Sequence, residues 1–140
     1  MADFTSQINE KVVLNGTTKE ALNIQTVSNT NYIDNRTTTV LSGSRTTIFS
    51  FSNNTGAGTF TTSSFQYARI TNKSTSVPVK ITVNSTNNTM SYLIAAGGSF
   101  MLSTTKIGTN PASFSFEDIT TVQLEPSGSS ASIEYFIVGS

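Results

Sequence analysis

The sequence predicts an all-β chain: a two-sheet antiparallel β-sandwich of jelly-roll or immunoglobulin-like type with little or no helix, a barrel being the alternative closure. Three observations lead there. Val77, Val79, Ile81 and Val83 are apolar at every second position with Lys80, Thr82 and Asn84 between them, the period of a strand with one buried face. Thr, Ser and Asn supply about 40% of the chain, and these are residues of pleated surfaces and turns. No segment sustains a 3.6-residue apolar period bounded by caps.

Taken in order, Met1 to Ile8 has neither the basic nor the apolar stretch of a signal peptide, and residues 1–10 are expected to form an N-terminal arm on a single domain spanning 1–140. Lys11 to Leu14 reads as a short strand, Asn15-Gly16 as a type I′ turn, and Ala21 to Val27 as the returning strand. Val27 to Arg36 suggests a loop anchored by Tyr32 and Ile33, with strand following over Thr37 to Leu41. Thr46 to Ser52 sets Phe49 and Phe51 on one face, and Asn53 to Gly58 reads as the turn that sends the chain back through Thr59-Phe60-Thr61. Gly56 and Gly58 do not make a phosphate loop, because no Lys-Ser/Thr pair enters a helix after them.

Phe65 to Leu102 reads as four consecutive strands around which the rest is added. Pro78 cannot donate to a ladder, so it belongs at the start of its strand or on an edge. Asn84 to Asn88 is a polar turn, after which Met90, Tyr92 and Ile94 resume the alternation with Leu93 facing the other way. Ala95-Ala96-Gly97-Gly98 supplies the next reversal, and Ser99 to Leu102, apolar on both faces, reads as a central strand. Ser103 to Ser113 is a long polar connection containing Asn110-Pro111. Ile119 to Leu124 and Ala131 to Val138 flank Glu125 to Ser130 and are expected to close the fold as a hairpin, with Ala131, Ile133, Tyr135 and Ile137 on one face.

With 140 residues the chain can bury roughly two thirds of the surface it exposes when unfolded, enough for a core without staples. Cys and His are both absent, which removes disulfides, zinc-thiolate sites, a cysteine nucleophile, the commonest general base and the usual Ser-His-Asp arrangement. No cofactor or metal is expected. Charged residues are 11% against a typical ~25%, and the eight basic and eight acidic side chains cancel. A neutral chain argues against nucleic-acid binding through a field of phosphate contacts, and no apolar run approaches the ~18 residues of a membrane span. Synthesis in the cytosol is the simplest expectation.

The charges are segregated along the chain. From Arg36 through Lys106 every charged residue is basic (Arg36, Arg45, Arg69, Lys73, Lys80, Lys106), whereas Glu117, Asp118, Glu125 and Glu134 make the last quarter acidic. One reading brings the sets together as cross-strand pairs within a subunit. The other places Arg69, Lys73, Lys80, Glu117, Asp118 and Glu134 at an interface between subunits.

Paired carboxylates at Glu117-Asp118 with Glu125 or Glu134 are the one glycosidase-like possibility, but strand neighbours point to opposite faces and would not converge. Calcium at Asp118 lacks any acidic loop spacing. Tyr32, Tyr67, Tyr92 and Tyr135 could stack sugars, although Tyr92 and Tyr135 are in phase with apolar neighbours and read as core or interface. The six Asn-x-Ser/Thr sequons at Asn15, Asn35, Asn53, Asn72, Asn84 and Asn87 are what this composition produces by chance.

The opening Asp3-Phe4-Thr5, the run Tyr67-Ala68-Arg69-Ile70-Thr71-Asn72, Ala96 to Leu102 and the closing Ile133-Glu134-Tyr135-Phe136-Ile137 resemble small structural proteins of tailed, marine podovirus-like bacteriophages. The resemblance implies a virion component made in the host cytoplasm, a capsid decoration or cement protein that binds the major capsid protein and its own copies, often as a trimer. It carries no catalytic signature and no site residue. A tail or fibre component acting as a receptor- or glycan-binding module is the alternative.

Overall fold

Asn15 and Gly16 both take positive φ, 50° and 75°, the type I′ geometry whose twist matches that of paired strands. They fold Ala2–Leu14 (β1) onto Thr17–Thr30 (β2) in register from Phe4↔Val27 to Leu14↔Thr17. The predicted hairpin is therefore present but far longer than the short strands read from sequence, and it forms a two-stranded sheet of its own. The computed structural model describes residues 2–140, all-β throughout with no helix among them.

The remaining strands are Tyr32–Val40 (β3), Thr46–Phe51 (β4), Thr59–Phe60 (β5), Phe65–Asn72 (β6), Val79–Ser85 (β7), Thr89–Ile94 (β8), Ser99–Leu102 (β9), Lys106–Asn110 (β10), Ser115–Pro126 (β11) and Ala131–Gly139 (β12). They form two sheets. One has the order β5-β4-β11-β7-β8 with β10 beside the first part of β11, the other the order β3-β12-β6-β9. Alternation fixes the inward faces: Val79, Ile81 and Val83 on β7, Val122 and Leu124 on β11, Ala131, Ile133, Tyr135 and Ile137 on β12, and Ala68 and Ile70 on β6 join one buried core. Burying each of the valines, isoleucines and the leucine among them contributes roughly 1.5–3 kcal/mol. At one end Phe49, Phe51 and Phe60 of the first sheet meet Phe65 of the second, with Phe49 and Phe65 stacked at 5.9 Å and Phe51 edge-on to Phe65 at 5.1 Å.

Several local expectations are corrected by how the strands are shared between sheets. The four strands of Phe65 to Leu102 exist, but they are not a meander: β7 and β8 pair in one sheet, while β6 and β9 pair in the other. β11 and β12 are likewise in different sheets and not a closing hairpin, since each strand's apolar face points inward from its own side of the core. The Ser99 to Leu102 strand is an edge, not a centre; its second face is apolar because Met101 lies beside Ser6, Ile8 and Tyr67 under the arm. Tyr32 and Ile33 do not anchor a loop but begin β3, whose nine residue pairs with β12 are masked in the sequence by Thr and Asn. Asn53 to Gly58 is the turn expected, but it delivers the chain so that β5 runs parallel to β4. The polar connection after Ser103 contains β10, paired with Glu117 and Asp118.

Two positions hold this arrangement. The side chain of Asn72 is fully buried; its Nδ2 donates to the carbonyls of Val77 (2.7 Å), Ile94 (3.3 Å) and Ala95 (3.3 Å), and its Oδ1 accepts from the Ser74 N–H (3.0 Å). Its backbone N–H donates to Gly98 O and its carbonyl accepts from Gly97 N–H, both at 2.9 Å. Gly139, at the end of β12, leaves only 2.9 Å between the Ser64 carbonyl oxygen and a Cβ placed there. Asn72→Ala is expected to lower unfolding free energy in urea by about 3 kcal/mol or more, because buried carbonyls lose their donor. Gly139→Ala should cost about 1–3 kcal/mol in the same measurement, because the obstructing atom is backbone and cannot swing away.

Candidate functional site: a projecting arm on a charge-paired sandwich

The base of the arm is docked. Phe4 packs on Tyr67 (5.0 Å) and Phe136 (5.7 Å), Ser6 Oγ donates to Tyr67 Oη at 3.4 Å, and Gln66 Nε2 donates to the Ser28 carbonyl at 3.1 Å. Tyr67 and its cross-strand partner Val138 are consequently buried although they lie on the outer face of their sheet. Beyond the base the hairpin leaves the sandwich. Every residue from Asn9 to Thr26 is exposed, and Val12, Val13, Leu14, Leu22 and Ile24 are each more than half exposed. Alternation puts Val12 and Leu14 on one face of the ribbon, Val13, Leu22 and Ile24 on the other. The sequence signal for this surface was three consecutive apolar residues directly before Asn15-Gly16, a run that no single buried face can absorb.

The candidate charges of the body mostly meet one another. Arg69 Nη2 reaches Glu134 Oε1 at 2.7 Å across β6 and β12, and a second guanidinium nitrogen donates to Thr71 Oγ1. Lys80 Nζ lies 2.8 Å from Glu125 Oε2, which Arg45 also approaches at 3.7 Å. Lys106 Nζ lies 2.9 Å from Asp118 Oδ1, and Arg36 Nε 2.7 Å from Asp34 Oδ1. The basic middle and the acidic end of the chain are thus brought together as pairs within one subunit, and of the six candidate interface residues only Lys73 is an exposed charge without an ion pair or hydrogen-bonded side chain among the described residues.

Glu117 is held differently. Its carboxylate accepts from Ser85 Oγ (2.7 Å), Asn87 N–H (3.2 Å) and Asn87 Nδ2 (3.1 Å), so it pins the turn between β7 and β8. The Ser85 hydroxyl above all, then the Asn87 and Asn88 side chains, lower its pKa to about 2. Lys80 lowers that of Glu125, and Arg69 that of Glu134. Glu117 and Asp118 do not converge: Glu117 faces the Ser85–Asn88 turn while Asp118 faces Lys106.

The outer face of the first sheet is a ladder of amides and hydroxyls. Gln123 Nε2 donates to Thr47 Oγ1, Asn84 Nδ2 to Gln123 Oε1 and Thr121 Oγ1, and Thr89 Oγ1 to Asn84 Oδ1, all at 3.0–3.2 Å. Tyr135 is core as expected, but Tyr92 is 53% exposed, because β8 is the last strand of its sheet and the tyrosine leans on Phe100. Phe114 is 96% exposed and stands edge-on to Phe116 at 4.8 Å on the β10–β11 tip. A concavity of about 390 Å³ beside Phe51, Asn53, Thr61 and Thr120 contains one carboxylate, Asp118, which is the one paired with Lys106.

All three depressed carboxylates act in the same direction. Their stabilisation is complete above the ordinary glutamate range near 4.5 and is lost as pH falls toward the folded value, about 2 for Glu117. The melting temperature should therefore fall between pH 4.5 and 2, and Glu117→Gln should flatten part of that slope. Charge reversal separates the lysines: Lys80→Glu, facing Glu125, should lower the urea midpoint of the isolated protein, whereas Lys73→Glu, which loses only a longer-range attraction to Glu134, should lower it less. Comparison with family models, curated proteins and solved structures finds no match for this chain.

Proposed function

We propose that this chain is a non-enzymatic structural protein of a tailed-bacteriophage particle, a capsid decoration or cement protein that binds the major capsid protein and its own copies. The carrying observation is the arm: a long hairpin that leaves the sandwich with apolar side chains on both faces is built to be covered by protein. The charges of the body support the same reading, because they are committed to ion pairs and turn contacts and do not converge on a cleft. The resemblance of the Tyr67 to Asn72 and Ile133 to Ile137 segments to phage structural proteins adds the particle context. Protein mass spectrometry of purified, salt-washed particles should find the chain in many copies per particle; its absence from washed particles would overturn the proposal.

A second reading is favoured by one observation, the exposed Phe114–Phe116 pair, which offers sugar-stacking faces at a loop tip. A tail or fibre module binding a glycan or receptor should give a glycan-array signal that Phe114→Ala reduces at least tenfold. An array silent for the folded protein leaves the capsid reading in place.

A further inference from the structure

The strands of the sandwich each bury a face in the core; the overhanging half of the arm buries neither of its faces. The six residue pairs from Asn9↔Leu22 to Leu14↔Thr17 span about 20 Å at the rise of an antiparallel strand. A two-stranded ribbon of this kind is marginally stable in water by itself. It also carries four charges, Glu10, Lys11, Lys19 and Glu20, none of which forms an ion pair, among the described residues, although Lys11 and Glu20 are directly opposite.

Their placement follows from the register. Glu10 and Lys19 share the face that presents Val12 and Leu14; Lys11 and Glu20 share the face that presents Val13, Leu22 and Ile24. Each face therefore offers one acid, one base and an apolar strip. Such a face is neutral and complementary to a copy of itself, since turning one ribbon over another sets acid against base and apolar strip against apolar strip.

We propose that the overhanging hairpin is a self-association arm, and that its occupant is a second copy of this chain. One face stacks on the partner's arm, with Glu10 of each copy against Lys19 of the other, and the opposite face lies against the partner's sandwich. The sizes agree: arms about 20 Å long and two strands wide, covered on both faces, bury on the order of 1,200 Å² in total, the lower end of a stable interface. Contact through one arm face alone would bury on the order of 400 Å², too little to hold two copies together. The arm's base stays as described, so association requires no unfolding of the Phe4, Tyr67 and Phe136 contact.

This inference deepens the structural-protein reading by naming one partner, and its test uses the purified full chain alone, so it succeeds or fails whatever particles contain. Light scattering behind a sizing column should give a multiple of 14.9 kDa at micromolar concentrations. Leu14→Asp with Leu22→Asp should return the mass to 14.9 kDa while the chain keeps its β-type circular dichroism spectrum and unfolds cooperatively, because both side chains are already in water in the single chain. Glu10→Lys should weaken association at least tenfold, and adding Lys19→Glu should restore it, a rescue that only a partner bearing the same swap can give. Three results would each overturn the proposal: a wild-type chain that runs as a monomer, which would give the arm to a different protein; an oligomer unaffected by the leucine changes; or a double charge swap that fails to recover what the single change lost.

Discussion

The arrangement of both sheets depends on one buried amide. Between Phe65 and Leu102 the chain leaves the second sheet after β6, makes the β7–β8 hairpin in the first, and returns to lay β9 beside β6. Both crossings pass the same end of the sandwich, where backbone carbonyls have left one ladder and not yet joined another. Unpaired, each would cost about 1–3 kcal/mol. Asn72 Nδ2 supplies hydrogens to Val77 and to Ile94 and Ala95, one crossing on each side, while its Oδ1 and backbone tie in Ser74, Gly97 and Gly98. The orientation of the amide is set by this network, since only its nitrogen can face three carbonyls. That knot ties the end of β6 to the approach to β7, the end of β8 and the turn before β9, where the chain passes between the sheets.

From this division the two outer faces take different solutions. The first sheet's outer face is wetted, and its Thr, Asn and Gln side chains bond to each other across β4, β11, β7 and β8, which is how a chain with 11% charged residues keeps a polar surface. The second sheet's outer face carries Tyr67, Phe136 and Val138, which water would not favour, and the base of the arm covers them. β12 is consequently buried on both sides and reads as nearly continuous apolar sequence at its end, Phe136-Ile137-Val138.

What the sequence disclosed was local, and what it hid was pairing. The period-2 runs at Val79 to Val83 and Ala131 to Ile137, the Asn15-Gly16 turn, the all-β class and the polar turn at Ser85 to Asn88 are all legible because each depends on neighbours a few residues away. Sheet membership is not, because a strand with one apolar face looks the same whichever side of the core it packs from; hence β11 and β12 resembled a hairpin. β3 was unreadable before Thr37 for a second reason, that an edge strand opening on Tyr, Ile, Asp, Asn and Arg draws its strand character from nine pairs with β12 rather than from propensity. Asn72 looked like one chance sequon among six; nothing in Asn72-Lys73-Ser74 distinguishes a buried knot from an exposed turn. For the charges, the segregation along the chain was visible, and the pairing that cancels it required the fold.

That cancellation also bears on how association would work. With most of the body's charges paired within the chain, long-range attraction between copies rests on the arm, where two acids and two bases cancel and give little net field. Electrostatics of this kind fixes register and rejects wrong partners but does little to accelerate encounter. Affinity must then come from Val12, Val13, Leu14, Leu22 and Ile24, a modest apolar area per arm set against the cost of ordering a free ribbon. Covered on both faces, arms of this size reach the lower end of a stable interface, enough to hold copies together at micromolar concentrations, and any arrangement that tethers the copies side by side would strengthen the contact by making it effectively intramolecular. The sandwich, most of whose charges are paired within the chain, presents that arm and offers the surface against which a partner's arm lies.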